Sequence, residues 1–91
     1  MVVVRYKIKY SRQAVKDIKK LKAARLDEKA QKLIEILRQN PFQENPRYEA
    51  LVGNLKGFYS RRINIHHRLV YKVNKKNHEV FIFRMWTHYE E

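Results

Sequence analysis

Glu49, Arg68 and His88 lie on three separate stretches of the second half of this 91-residue chain and offer a carboxylate, a guanidinium and an imidazole. Such a set can cleave a phosphodiester when the substrate carries its own nucleophile, as RNA does in its 2′-hydroxyl. The carboxylate takes the hydroxyl proton, the cation balances charge on the phosphorus oxygens, and the acid protonates the departing 5′-oxygen. A histidine of ordinary pKa, about 6.5, suits acid or base work near neutrality. Each residue also has an ordinary reading: a solvated loop glutamate, a cross-strand ion pair, a surface histidine near a chain end. Composition and spacing alone do not say whether the three converge.

Other chemistries lack their signatures. Two glycines cannot build a phosphate-cradling loop, and the absence of cysteine removes thiolate nucleophiles, zinc thiolates and disulfides. His66, His67, His78 and His88 do not have ligand spacing. Neither Ser11 nor Ser60 sits in a nucleophile elbow. Asp17, Asp27, Glu28 and Glu35 read as spread along exposed helix faces and not as a cluster, so no metal and no cofactor is expected.

The charge is informative. Twenty-one Lys and Arg against nine Asp and Glu give a net charge of +12, which draws a chain this small to polyanions. Nucleic acid or a ribonucleoprotein is the leading partner, an acidic protein the second, an anionic membrane surface the third. No apolar run approaches the roughly 18 residues of a membrane span, and the start is too short in apolar residues for a signal peptide. The expectation is one soluble domain over 1–91 in a reducing cytoplasm.

The elements that must position these side chains read as β-α-α-β-β-β. Over 2–10, Val2, Val4, Tyr6, Ile8 and Tyr10 alternate with Arg5, Lys7 and Lys9, predicting a strand with one buried face. Ser11 is a helix N-cap, followed by Ala14, Val15, Ile18 and Leu21 at helical spacing. After a break at 24–26, Asp27 and Glu28 open a second helix with the stripe Ala30, Leu33, Ile34 and Leu37, which Asn40-Pro41 ends. Residues 41–57 read as a loop with a short helical turn at 48–51. Strands follow at 58–65, 68–74 and 80–88, with corners at 64–67 and 74–78. The fold class is α+β, a small, mostly antiparallel twisted sheet with the helical pair on one face. Alternation puts Arg68 on a face with Val70 and Lys72, and His88 with Arg84 and Trp86. Tyr6, Tyr10, Phe81, Phe83 and Trp86 read as core or cross-strand packing and not as base-stacking platforms.

A specific pair of motifs adds to this reading. Ser60-Arg61-Arg62-Ile63-Asn64 and His67-Arg68-Leu69-Val70-Tyr71, with Asn54-Leu55, Gly57-Phe58-Tyr59, Asn40-Pro41-Phe42 and the His88-Tyr89 ending, resemble the YoeB/Txe branch of the RelE toxin superfamily across essentially the whole chain. The resemblance implies a RelE-like microbial RNase fold. It further implies a type II toxin that cuts messenger RNA in the ribosomal A site without metal, leaving a 2′,3′-cyclic phosphate, and is silenced by a Phd/YefM-type antitoxin. On it, Glu49 matches the general base, Arg68 the arginine on the scissile phosphate, His88 the general acid, and Tyr89 a residue shaping the site. Arg61 and Arg62 would bind the RNA backbone or the antitoxin, and a homodimer is kept as an option.

Departures from the family pattern are Val52 in place of a frequent lysine, for which Lys56 would substitute as an RNA contact, His66, and the Glu90-Glu91 extension. Two other classes stand beside this reading: a non-catalytic RNA- or ribosome-binding module, and a gyrase-directed ParE-like toxin.

Overall fold

The computed structural model describes residues 5–86. Strand β1 (Lys7–Tyr10) runs into helix α1 (Arg12–Ala23) through Ser11, whose Oγ accepts the Ala14 N–H at 3.0 Å and donates to the Phe83 carbonyl at 2.6 Å. One hydroxyl thus caps the helix and ties it to the sheet. The chain leaves α1 by a Schellman closure. Leu26 N–H reaches back to the Leu21 carbonyl and Arg25 N–H to that of Lys22, with Arg25 at a φ of 59° where glycine is usual. Helix α2 (Asp27–Gln39) then returns over the sheet, carrying Asp27 and Glu28 in its first turn as expected.

Beyond α2 come β2 (Tyr48–Ala50), β3 (Tyr59–Arg62), β4 (Arg68–Asn74) and β5 (Glu79–Arg84). The sheet has the order β1-β5-β4-β3-β2, antiparallel except that β1 runs parallel to β5. The expected order therefore gains a strand. Residues 48–50 form no helical turn but the edge strand β2, and a 3-10 turn follows at Gly53–Leu55. Tyr48, Glu49 and Ala50 are too few for periodicity to decide, and pairing with β3 settles their conformation. Both corners fall as expected. The Asn64 side chain accepts from His66 N–H and His67 N–H, and Asn74 accepts from Asn77 N–H.

Alternation on β4 separates two faces. Leu69 and Tyr71 join Val80, Ile82 and Ile63 against Ala14, Leu21, Ala30, Leu33, Ile34 and Leu37 in the helix-side core. Val70 points the other way, lies outside that core and is still fully buried, so the open face has apolar cover of its own. Between Val70 and Tyr71 the register slips on β5: Val70 pairs with Arg84 and Tyr71 with Ile82, leaving Phe83 as the extra residue of a bulge. Val2 and Val4 lie outside the described residues; Tyr6 and Ile8 pack on the core, whereas Tyr10 on the edge strand is exposed.

The buried row of α1 differs from the expectation. It is Ala14, Asp17 and Leu21, while Val15 and Ile18 are exposed. Asp17 is fully buried and not on a solvated face. Its Oδ2 accepts from the Met85 and Trp86 N–H groups at 2.9 and 3.2 Å and from Arg84 Nε at 3.2 Å, and its Oδ1 accepts from Gln13 at 3.0 Å. A carboxylate can follow the apolar row inward because backbone donors await it where β5 ends.

Burial alone would raise the Asp17 pKa, but the bonds from Met85, Gln13, Arg84 and Trp86 more than offset it and hold the group below its ordinary 3.8. Folding therefore favours the ionised form. The stabilisation is complete above about 3.8 and is lost as pH falls through the depressed folded value. Asp17→Asn should cost about 2–4 kcal/mol at neutral pH. In urea unfolding, the gap between parent and variant should narrow below pH about 4; a gap independent of pH would contradict the assignment. Arg25→Gly should relieve the left-handed strain and add about 1 kcal/mol, roughly 4–8 °C in Tm. An unchanged or lower Tm would show that the closure is unstrained.

Candidate active site on the open face of the sheet

The neighbouring rungs of β2, β3 and β4 bring the site together. Glu49 pairs with Ser60, Ser60 with Val70, and Arg62 with Arg68, so these side chains share the face away from the helices. Arg68 Nη1 donates to Glu49 Oε2 at 3.2 Å and to Ser60 Oγ at 3.3 Å. The Arg68 side chain is 16% exposed and that of Glu49 37%. The pair is thus wetted on one side and supported on the other. An open depression of about 410 Å³ surrounds it, lined by Pro46, Arg47, Glu49, Ser60, Arg62 and Arg68. Three arginines face one carboxylate there, a local excess of positive charge suited to an anion.

Glu49 and Arg68, nineteen residues apart, therefore meet. Both readings of Arg68 coincide in space, because the cross-strand ion pair is formed with the candidate base itself. Lys56 stands apart. It is exposed at the end of the 3-10 turn, beyond the Ala50–Tyr59 rung, and does not line the depression. Arg62 is exposed and lines the depression. His88 and Tyr89 lie outside the described residues. The chain leading to them is held at Trp86, whose ring stacks on His67 at 3.7 Å and whose N–H Asp17 accepts. Phe81 and Phe83, read as core or cross-strand packing, make cross-strand contacts on the open face and do not enter the helix-side core.

Arg61 corrects the sequence reading. It was expected to bind RNA backbone or antitoxin, but it is fully buried on the opposite face of β3. Its Nε donates to the Tyr71 hydroxyl at 3.1 Å, its Nη1 to the Pro46 carbonyl, and its Nη2 to the carbonyls of Pro41 and Gln43 at 3.0 and 2.7 Å. The guanidinium also lies 5.0 Å from the centre of the Tyr48 ring. Tyr71 completes the knot by donating to Pro41. Burial pushes the Tyr71 hydroxyl up to about 12, partly offset by the Arg61 charge and hydrogen bond. Alternation was the signal available. Arg61 has the parity of Tyr59 and Ile63, both packed on or within the core, and Arg62 that of Ser60.

Arg61 therefore holds residues 41–46, the segment that delivers Glu49 to β3. Arg61→Lys keeps the charge but cannot span three carbonyls and a hydroxyl. It should cost about 3 kcal/mol or more, whereas Arg62→Ala should stay within about 0.5 kcal/mol. Thermal unfolding of the two variants checks this, and equal small losses would contradict the buried role.

Comparison with known proteins agrees with this architecture. Residues 10–89 match the family described as YoeB-like toxin of bacterial type II toxin-antitoxin system. Toxin YoeB of Escherichia coli strain K12 is 47% identical over 49 residues, which are 54% of this chain and 58% of that protein. The match thus spans less than two thirds of that curated relative. The YoeB/ParE toxin from Agrobacterium tumefaciens superposes with a TM-score of 0.82 at 29% identity, over 91% of this chain and 99% of that one. YoeB from Staphylococcus aureus, solved as a dimer, superposes with a TM-score of 0.79 at 34% identity, over 93% of this chain and 99% of that one. With four fifths or more of the fold and sequence accounted for in these terms, the chain belongs to the YoeB-like toxins of bacterial type II toxin-antitoxin systems.

Proposed function

We propose that this toxin is a ribosome-dependent endoribonuclease that cuts messenger RNA in the A site by attack of the RNA's own 2′-hydroxyl. The observation that carries the reading is the meeting of Glu49 and Arg68 in a basic depression on an open sheet face. Glu49 takes the 2′-hydroxyl proton. Arg68 stabilises the phosphorane; among the described residues its side-chain bonds, to Glu49 and Ser60, run from Nη1, and Nε and Nη2 are the donors that address the phosphate. His88 protonates the leaving 5′-oxygen and Tyr89 shapes the site beside it. Arg62 neutralises neighbouring phosphate. The products are a 2′,3′-cyclic phosphate and a 5′-hydroxyl, a route that needs neither metal nor cofactor.

The ribosome has a physical role. A few side chains on an open face do not hold RNA in the bent geometry of in-line attack, whereas a decoding site presents the strand already bent. The net charge of +12 favours docking there. A cytoplasmic location follows from that substrate; among the described residues no helix is long and apolar enough to cross a membrane. The silencing partner is an antitoxin of the YefM type, supported by the YoeB-YefM complex solved for the Staphylococcus aureus relative.

The Glu49–Arg68 pair also suits a module that binds RNA without cutting it, since an ion pair can simply fix an arginine for phosphate contact. Primer extension on a message in a purified translation system separates the two. Cuts confined to the A-site codon should weaken by about 10²–10⁴ with Glu49→Gln or His88→Ala. The upstream fragment should resist 3′-end tailing until its cyclic phosphate is removed. Blocked translation with intact message, unchanged by both substitutions, would show binding alone.

A further inference from the structure

The open face carries a second group of side chains outside the depression. Lys72 follows Arg68 by four residues on β4, on the same face and about 13 Å further along the strand. Its Nζ lies 5.4 Å from the centre of the Phe81 ring and 5.7 Å from that of Phe58. Phe58 in turn packs at 5.2 Å on Phe83, the bulge residue of β5. None of the three phenylalanines belongs to the helix-side core; each is partly exposed, and Lys72 is exposed. Lys9, beside Phe81 on β1, is ion-paired with Glu79. Lys72 makes no ion pair among the described residues, and it lines the hollow beside Phe81 together with Lys75 and the Lys9–Glu79 pair.

We propose that Lys72, Phe81 and Phe58 form a subsite for single-stranded RNA, taking a nucleotide that flanks the one cut at Glu49 and Arg68. Phe81, which alternation alone reads as packing, is partly exposed and outside the helix-side core, and so has surface left for a base. The chemistry is complementary on both counts. The ammonium meets a phosphate, and the rings offer apolar surface to a base, which in a duplex would already be stacked on its neighbours. A purely acidic segment would answer the lysine but leave three rings without a counterpart. That the bound strand is the one being cut rests on the proposed nuclease reading; the binding itself does not.

The test uses the full chain carrying Glu49→Gln, with a short fluorescein-labelled oligouridine followed by anisotropy across a salt series. Lys72→Ala should weaken binding about five- to tenfold and lower the slope of log affinity against log salt by about 0.7. Phe81→Ala should weaken it at least about fivefold and Phe81→Trp should restore it. Lys29→Ala, on the exposed side of α2, should change it less than about twofold. In the otherwise unsubstituted chain, Lys72→Ala and Phe81→Ala should lower kcat/KM for ribosome-bound message.

Parent-like binding by both Lys72→Ala and Phe81→Ala overturns the proposal. So does a Lys72 effect with no Phe81 effect, which would mark a bare charge and not a stacking subsite. Loss of binding to an acidic YefM-type antitoxin with oligouridine binding untouched assigns the face to a protein and overturns it as well. Oligouridine binding that depends on Lys72 and Phe81, in a chain that never cuts message, leaves the subsite standing and removes the nuclease reading instead.

Discussion

A cation sealed inside the protein sets the terms for everything on its surface. The bonds of Arg61 among the described residues run to three carbonyls and one tyrosine hydroxyl. A guanidinium can be buried in that way because its five N–H donors spread over a plane wide enough to serve several acceptors. What it gathers is the irregular segment after α2, which would otherwise be free to choose its own path. Once that segment is tied beneath β3, Tyr48–Ala50 has a partner to pair with, and Glu49 arrives on the opposite face opposite Ser60. The interior knot and the exterior site are two sides of one strand.

A second anchor works at the far end. Asp17 occupies the place on α1 where an apolar residue would fit the helical row, and it spends its acceptors on the backbone where β5 ends. His67 stacks on Trp86 from the β3–β4 corner. The last described residue is thus held by a helix and by a hairpin. For a chain whose expected acid follows two positions later, that is the support a small fold can supply.

Much of the architecture was legible in the sequence. Ser11, the apolar row of the second helix, the Asn40-Pro41 stop and the corners at Asn64 and Asn74 act through local rules, and they fall where those rules put them. What local rules do not contain is pairing. Three residues, Tyr48, Glu49 and Ala50, become a strand only because β3 is there to receive them. The buried charges were the other gap. Asp17 and Arg61 look like surface residues by type, and their partners are backbone groups, which a sequence does not display as candidates. Of the site, Glu49 and Arg68 follow from chemistry and resemblance together, and Arg62 from the resemblance. Its neighbour Arg61 departs from that expectation because alternation puts it with Tyr59 and Ile63 on the helix side of the strand.

The open face holds a carboxylate–guanidinium pair beneath a positive field, and the proposed cleavage requires that pair to act as one catalytic unit. Single-turnover cleavage of ribosome-bound message by the parent, Glu49→Gln, Arg68→Ala and the double variant measures this most directly, with folding checked by thermal unfolding. The account predicts large losses in both single variants and a double variant little slower than the worse of them, since base and cation serve the same transition state. Single variants that cut at the parental rate, with only their stability changed, would make the pair a structural ion pair and contradict it.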